Sequence, residues 1–505
     1  MLPILVICVL LPLAASVFLR MVLDSTQDGQ EPPPVDLPMP FIGPIIRMWW
    51  MGFDYYRKHR QFPIYTIRLP GIRLYVVNST SLISAVQHHP RTLSFSPILA
   101  RVAATLIGAS DAGCAVLGDD AENGFIRRFH DFNHSSLSTG PGLEAIRTRF
   151  WNLVTSSHSR QFLESPGFTG MYQWISHEVM LATSESMYGA QNPFRDSATR
   201  AAWQKYQSGA TRLTTGCIPS IIAKQALRAR GEVVRSFEQY YADRGFEHRE
   251  ASPYINAQYH IFSTSGLSDA DIAKTQAAFS IAILGNTIPA TFWLIYHIFS
   301  NRAILRDCRQ ELEAALRRHQ TGRAALDLAT LEQACPILAS TFKETLRMHS
   351  MGTSVTQVVE DQVIEGRYLF KKGALVLIPA IIQHSAPAVW GADDVHAFDH
   401  RRFVRESHGP DRKRGPNPVG FRVFGGGWTL CPGRHVATSM ILGFAASTIL
   451  HFDLRPRRRG QWVMPTVKNS HLGVAIAQPD EDFDVEFRCR KTEGTASAER
   501  TGGII

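Results

Sequence analysis

Cys431 is the residue with the most chemistry gathered around it. It lies in Phe424-Gly-Gly-Gly-Trp-Thr-Leu-Cys431-Pro-Gly433-Arg434, where the glycines from Gly425 to Gly427 permit a tight bend and the close approach of a flat ligand. The helix expected to open just after the cysteine turns unpaired amides and the positive end of its dipole towards the sulfur, which favours a thiolate over a thiol. A thiolate so placed can ligate iron as an anion. On these residues alone, a Gly-rich turn before a helix with an incidental cysteine explains the string almost as well. The other cysteines of the seven, at 8, 114, 217, 308, 335 and 489, form no CxxC pair and have no His-rich partner segment. That excludes a zinc site and a disulfide framework, and leaves a reducing compartment as the default for the body.

A second constellation is Phe342-Lys-Glu344-Thr-Leu-Arg347. Glu344 and Arg347 are three apart and share a helix face, a pairing worth only about 0.2–0.5 kcal/mol when exposed. Further on comes Phe398-Asp-His-Arg-Arg402-Phe403, and before both runs the apolar string Ala282-Ile-Leu-Gly285-Asn286-Thr287-Ile-Pro289-Ala290.

Taken in register, these segments resemble the cytochrome P450 family, of the membrane-anchored microsomal type. Its fold carries a Glu-x-x-Arg pair locked to a second Arg in F-x-P-x-R-F, followed by F-x-x-G-x-R-x-C-x-G, and the match runs from about residue 40 to 490. The resemblance implies a mostly α (α+β) fold, with a small N-terminal β region and a helix-rich region clasping haem b. It makes Cys431 the axial ligand of the haem iron, with Phe424 against the thiolate loop and Gly425, Gly427, Gly433 and Arg434 completing the cofactor loop. Glu344, Arg347 and Arg402 become a buried ion network needed for folding and haem retention, since a buried charge survives only if it is paired.

The departures are specific. The family's basic residue two before the cysteine, which contacts a haem propionate, is Thr429 here, and His400 replaces the Pro of the middle motif. A propionate arginine expected ahead of Glu360-Asp361 is absent, with Thr356 and Gln357 in that neighbourhood. Arg127 and Arg128, in a segment resembling the family's haem-contacting helix, are the candidates to replace it. In the distal string, Gly285 stands where most members carry the proton-delivering acid and Asn286 where they carry the alcohol, so Asn286 and Thr287 are the catalytic candidates. Pro289 should break the local hydrogen-bond ladder and kink the helix. Gly-Asn-Thr-Ile-Pro-Ala-Thr-Phe-Trp is similar to the branch holding bile-acid-forming sterol 7α/12α-hydroxylases and prostacyclin synthase, while the thiolate loop resembles fungal members.

The implied function is a haem-thiolate monooxygenase that inserts oxygen into an apolar small molecule of sterol, terpenoid or other secondary-metabolite type. Its electrons would come from NADPH through a separate flavin reductase. Two alternatives stand beside it: a redox-neutral isomerase or dehydratase acting on a peroxide, favoured by the missing acid, and a non-catalytic haem-binding sensor. Substrate contacts are expected from Ser96 to Leu117, about 200–225, Ile281 to Pro289, Met351 to Val355 and the turn around His471.

These residues need a scaffold, and the rest of the chain supplies one. Residues Leu2 to Leu19 are apolar apart from Ser16 and two prolines and would span about 27 Å as a helix. Extension to Leu23 with Arg20 snorkelling makes residues 1–23 a transmembrane anchor. The basic residues Arg20, Arg47, Arg57, Lys58 and Arg60 all follow it, which places the body on the cytoplasmic side of the endoplasmic reticulum membrane. A cleaved signal is the competing reading, from the small residues Ala14, Ala15 and Ser16, but its charged leading segment is missing. Residues 24–44, with prolines at 32, 33, 34, 38, 40 and 44, read as a stiff hinge; 45–490 form the catalytic domain, and 491–505 a disordered tail. Periodicity predicts helices near 46–60, 143–160, 170–190, 198–213, 220–243, 268–300, 303–318 and 329–349, and one from Cys431 to about 450. Strands are predicted over Ile64 to Leu69 and Ile72 to Val77 about the Pro70-Gly71 turn, with further strand-like runs at Ala374 to Pro379 and Val474 to Ile476. The formal charge of +9 has no aromatic-interleaved basic stretch behind it, so nucleic acid is excluded as a partner; the runs Arg412 to Arg414 and Arg455 to Arg459 read as solvated surface. The sequons at Asn78 and Asn133 read as chance.

Overall fold

The computed structural model describes the chain apart from residues 1, 36–38, 139, 165–166, 216–218, 321–327, 392–394, 405–416, 458–459, 471–474 and 491–505. The expected tail, the turn around His471, the first residue of the run Val474 to Ile476 and the basic run 412–414 therefore lie outside the described residues.

The two predicted strands form as read: β1 (Ile64–Leu69) and β2 (Ile72–Val77) are antiparallel, from Ile64 opposite Val77 to Leu69 opposite Ile72. Gly71 turns between them at φ 71°, a backbone value that side chains disfavour. Three more strands, β3 (Leu93–Ser94), β4 (Thr353–Val358) and β5 (Leu375–Pro379), complete a sheet of order β1-β2-β5-β4-β3, in which β2 and β5 run parallel. The β-branched run that makes β4 includes the stretch expected to touch substrate; it pairs with β5 from Thr353 opposite Pro379 to Gln357 opposite Leu375. Residues 32–35, at the start of the proline stretch, are docked on this sheet. Val35 N donates to Thr66 O at 3.0 Å, Thr66 N to Pro33 O at 2.9 Å and Thr66 Oγ1 to Pro32 O at 2.6 Å. A second sheet joins Phe168–Gly170, Asp484–Cys489 and Phe452–Pro456.

Helices form the larger part. The N-terminal helix α1 spans Leu2–Thr26, and α2 spans Phe125–Ser138. Then follow α3 (Pro141–Glu164), α4 (Ser197–Thr215), α5 (Lys224–Ala242), α6 (Asp269–Ser300), α7 (Pro336–His349) and α8 (Arg434–His451). Three predicted helices are broken: the one over 220–243 divides at Ala223 into Pro219–Ile222 and Lys224–Ala242, and two others break through local chemistry. The one over 46–60 divides at Gly52, whose φ is 51°, into Gly43–Met51 and Asp54–Lys58. The one over 329–349 divides where Pro336 opens a new helix after Leu331–Ala334.

Helix α6 is the spine of the body. Its N-cap Ser268 accepts from the Asp271 amide, and Asp269 and Asp271 complement the dipole in the first turn. It is long and apolar enough to cross a membrane, yet it is mostly buried inside the body, so its apolar length serves the core. Pro289 does not end it: the helix continues as one 32-residue element, with Thr287 Oγ1 donating to Ile283 O and Thr291 Oγ1 to Thr287 O around the proline. The proline still lacks the N–H that would have met the Gly285 carbonyl.

Candidate functional site

The thiolate loop is shaped by its glycines. Gly425 and Gly427 adopt φ 78° and 60°, and a Cβ on Gly425 would meet Thr429 O at 2.9 Å. The bend lets Cys431 N donate to Phe424 O at 2.9 Å, and Arg434 Nη1 to Cys431 O at 3.1 Å. Gly433 caps α8, and the amides of Gly433 and Arg434, with the Arg434 charge, pull the thiol pKa down as the sequence argument required. Burial outweighs them, and the net direction is upward. The helix end therefore supplies only part of what a thiolate needs in this loop.

Above the loop lies a cavity of about 550 Å³. The loop contributes Trp428, Thr429, Leu430 and Pro432, the two sides of Cys431, and α6 contributes Ile281, Ala282, Gly285 and Asn286. Phe424, Gly425, Gly427, Gly433 and Arg434, expected as cofactor contacts, shape the loop around Cys431; like Cys431 itself they are not among the residues lining the cavity. The other walls come from Leu99 to Leu117, from Gln207, Ala210 and Thr211 on α4, and from Ala475, Ile476 and Gln478. Of the expected substrate segments, Met351 to Val355 gives nothing to this cavity; Ser354 lines a smaller recess beside it.

Helical phase corrects another expectation. On α2 the cavity face is Ile126, Phe129, His130 and Asn133, the i, i+3, i+4, i+7 stripe of one helix side. Arg127 and Arg128 fall off that stripe. Arg128 Nη2 donates to Ser265 Oγ at 3.1 Å, and Arg127 is half-buried, its covered Nε 3.9 Å from Asp120. Two histidines do reach the loop from α2: the His130 ring stacks on Trp428 at 3.8 Å and 11°, and His134 bonds the Leu430 backbone. Thr287 also departs from its expected place: it is buried, its hydroxyl is spent on Ile283 O at 2.6 Å, and it does not line the cavity. Asn286 does line it, with no hydrogen bond from its amide to any other described residue, and among the described residues no carboxylate joins it there.

The ion network assembles behind the loop. Arg347 donates from Nε and Nη2 to the two Glu344 oxygens, both at 2.7 Å, and from Nη1 to the carbonyls of His384 and Val395. Arg402 Nε bridges both Glu344 oxygens at 3.1 Å, and the Asp399 amide donates to the same carboxylate at 3.0 Å. His400, the departure from the middle motif, lies 3.2 Å from Asp307, which Arg401 also binds.

The donor set fits a haem. Among the described residues no cluster of His, Cys, Asp and Glu could hold a metal by itself, whereas one cysteine on a glycine-bent loop beneath a broad cavity fits a planar cofactor needing a single protein ligand. A family model described as Cytochrome P450 matches residues 32–485. The chain belongs to the cytochrome P450 family. This P450 is 30% identical over 475 residues to cytochrome P450 monooxygenase nodJ of Hypoxylon pulicicidum, covering 92% of this chain and 91% of that one. It is 27% identical over 239 residues to the cholesterol 7-alpha-monooxygenase of Cricetulus griseus, covering 45% of this chain and 47% of that one. The retinoic acid-bound cyanobacterial CYP120A1 superposes with a TM-score of 0.71 at 18% identity, over 92% of this chain and 100% of that one, which shows the same fold. The P450 is accordingly a haem-thiolate monooxygenase, an oxidoreductase that incorporates molecular oxygen and depends on a redox partner and an organic substrate.

Proposed function

We propose that this P450 oxidises an apolar molecule of sterol, terpenoid or other secondary-metabolite type, using electrons from NADPH passed on by a membrane-bound flavin reductase. The cavity carries the reading. Its walls are mostly apolar, from Leu99, Val102, Leu106, Ile107, Phe279 and Ile281, with His130, Asn133, Gln207, Asn286, Gln478 and three threonines as the polar positions. Such a lining suits a polycyclic skeleton bearing one or two oxygen functions. Gln207 lies across the cavity wall from Gly285, its Nε2 3.6 Å from where a Cβ there would sit, so its amide is placed where a substrate oxygen can meet it.

When bound, haem held by Cys431 supplies the oxygen activation. The chain's own part is to orient the substrate on the α4 and α6 faces, to exclude water with Phe95, Phe125 and Phe129, and to hold a proton-relaying water at the Asn286 amide.

We assign residues 1–23 to a single-pass anchor in the endoplasmic reticulum membrane, 24–44 to the connection and 45–490 to the catalytic domain on the cytoplasmic side. In support, Leu13, Val17, Phe18 and Met21 stand exposed on α1, and Trp49 and Trp50 are about four-fifths exposed. Both sequon asparagines are buried and bonded within the body, Asn78 to Phe62 O and Asn133 to the Tyr254 hydroxyl.

The test is turnover of a sterol and terpenoid panel in microsomes holding this protein and a reductase. NADPH-dependent oxygenated products are expected. Conversion of a lipid peroxide without NADPH would replace this reading with the isomerase.

A further inference from the structure

Nine residues before the thiolate, Arg422 is only 4% exposed. Among the described residues no acid pairs with it. Its Nε has no hydrogen-bond partner, and Nη2 reaches Ser354 Oγ only at 3.4 Å. With its amide turned to satisfy both donors, Gln87 accepts from Arg422 Nη1 and from Gly427 N, each at 3.1 Å. Burial pushes the guanidinium down to about 10, so it stays charged at neutral pH. A buried cation left without an anion is among the costliest arrangements a fold can keep.

The place it occupies gives the cost a reason. Arg422 lines a recess of about 40 Å³ with Gln87, Ser354, Thr356, Gly426 and Thr429. This recess shares Phe95, Trp428 and Thr429 with the large cavity, so it adjoins the space that would hold a planar group. Thr429 stands where the family's basic residue would be, and its hydroxyl is spent on Gly426 O at 3.0 Å. Arg127 and Arg128 face away.

We propose that Arg422, held by Gln87 and assisted by Ser354 and Thr356, binds a haem propionate in this recess, taking over the charge that Thr429 cannot supply. The assignment rests on the haem-thiolate reading. A carboxylate there would take the free Nε and an Nη donor, and a charge-assisted pair of that kind is stronger than a neutral hydrogen bond.

The test uses the full-length, haem-loaded protein and two variants, Arg422→Met and Arg422→Lys. Transfer of haem to excess apomyoglobin should be about tenfold faster or more for Arg422→Met, and intermediate for Arg422→Lys, because lysine keeps the charge but not the two-donor fork. The propionate bending band in resonance Raman should move in both variants, further in Arg422→Met. An unmoved band with wild-type transfer in Arg422→Met overturns the proposal, as does an Arg422→Lys that loses haem as fast as Arg422→Met. Should Arg422→Met fail to fold, the Arg422→Lys band decides: shifted supports the contact, unmoved refutes it. Failure of the haem reading itself would appear separately, as wild-type protein that carries no haem.

Discussion

Glu344 holds Arg347 through two parallel 2.7 Å hydrogen bonds in a place where neither side chain is more than 1% exposed. Arg402 closes the same carboxylate from its other side. Three charges share one desolvated site, and each backbone carbonyl that Arg347 reaches, His384 and Val395 among them, ties a distant loop to α7. Such a cluster has little to offer chemistry and much to offer assembly.

Glu344→Ala should therefore leave two buried guanidinium groups without their anion, at a cost of about 3–5 kcal/mol. Denaturant unfolding of detergent-solubilised protein would show it, together with a collapse of haem content. Full recovery of stable, haem-loaded Glu344→Ala would remove the network from the fold's essentials.

Cys431→Ser should abolish the strongly red-shifted Soret band of the ferrous carbon monoxide complex, because a hydroxyl does not replace an anionic sulfur. The protein should still fold, since the loop's backbone bonds from Phe424 to Cys431 do not use the sulfur. A persistent red-shifted band would exclude Cys431 as the ligand.

The double variant Arg127→Ala with Arg128→Ala should keep its haem and lose no more than about 1 kcal/mol, because it removes only the partly exposed Arg127–Asp120 pair and the Arg128–Ser265 bond. These two residues mark where sequence reading reached its limit. The motifs around Cys431, Glu344 and Arg402 were legible because glycines and paired charges are constrained residue by residue. The propionate candidates were chosen by charge and by the resemblance of their segment to a haem-contacting helix, although the apolar residues Ile126 and Phe129 already gave the phase of α2 that turns His130 inward. Arg422 carried its own signal, a lone arginine between Phe421 and Val423. Its meaning depends on the absence of any carboxylate nearby, and that is a three-dimensional fact. Strand β4 was missed as a strand although its β-branched residues Thr353, Val355, Thr356 and Val358 were a local signal; the pairing with β5 that makes it a strand is long-range.

Stability should fall on the acid side. Burial pushes His158, His297 and His384 down to about 3, from an ordinary value of 6.5. Each stays neutral in the fold while the unfolded chain takes up a proton, so their contribution is complete above pH 6.5 and is lost as pH falls from there towards 3. Each such histidine contributes up to about 1.4 kcal/mol per pH unit in that window. The unfolding temperature measured between pH 7.5 and 4.5 should drop steadily, and His158→Gln, which can keep a bond to Ser447, should flatten the slope. A parallel slope in that variant would show that His158 does not titrate on unfolding.

The last expectation concerns Asn286, which stands on the cavity wall beside an α6 carbonyl that Pro289 leaves without its usual donor. Oxygen insertion needs protons delivered at the distal side, and the position that holds an acid in most relatives is Gly285. With the Thr287 hydroxyl committed to Ile283 O, the amide of Asn286 is the polar group on this stretch of α6 able to hold a water there. Asn286→Leu keeps much of the side chain's volume and removes the amide, so substrate affinity, read from the spectral shift on titration, should change little. Proton delivery should suffer far more, by about 10²-fold if the amide orders a general acid. In the reconstituted system the electrons should then leave as hydrogen peroxide, raising peroxide formed per NADPH while product falls. Thr287→Val should keep the coupling of the wild type, because its hydroxyl faces its own helix. If Thr287→Val uncouples the enzyme and Asn286→Leu does not, the relay runs through the hydroxyl and the helix must rearrange on binding substrate.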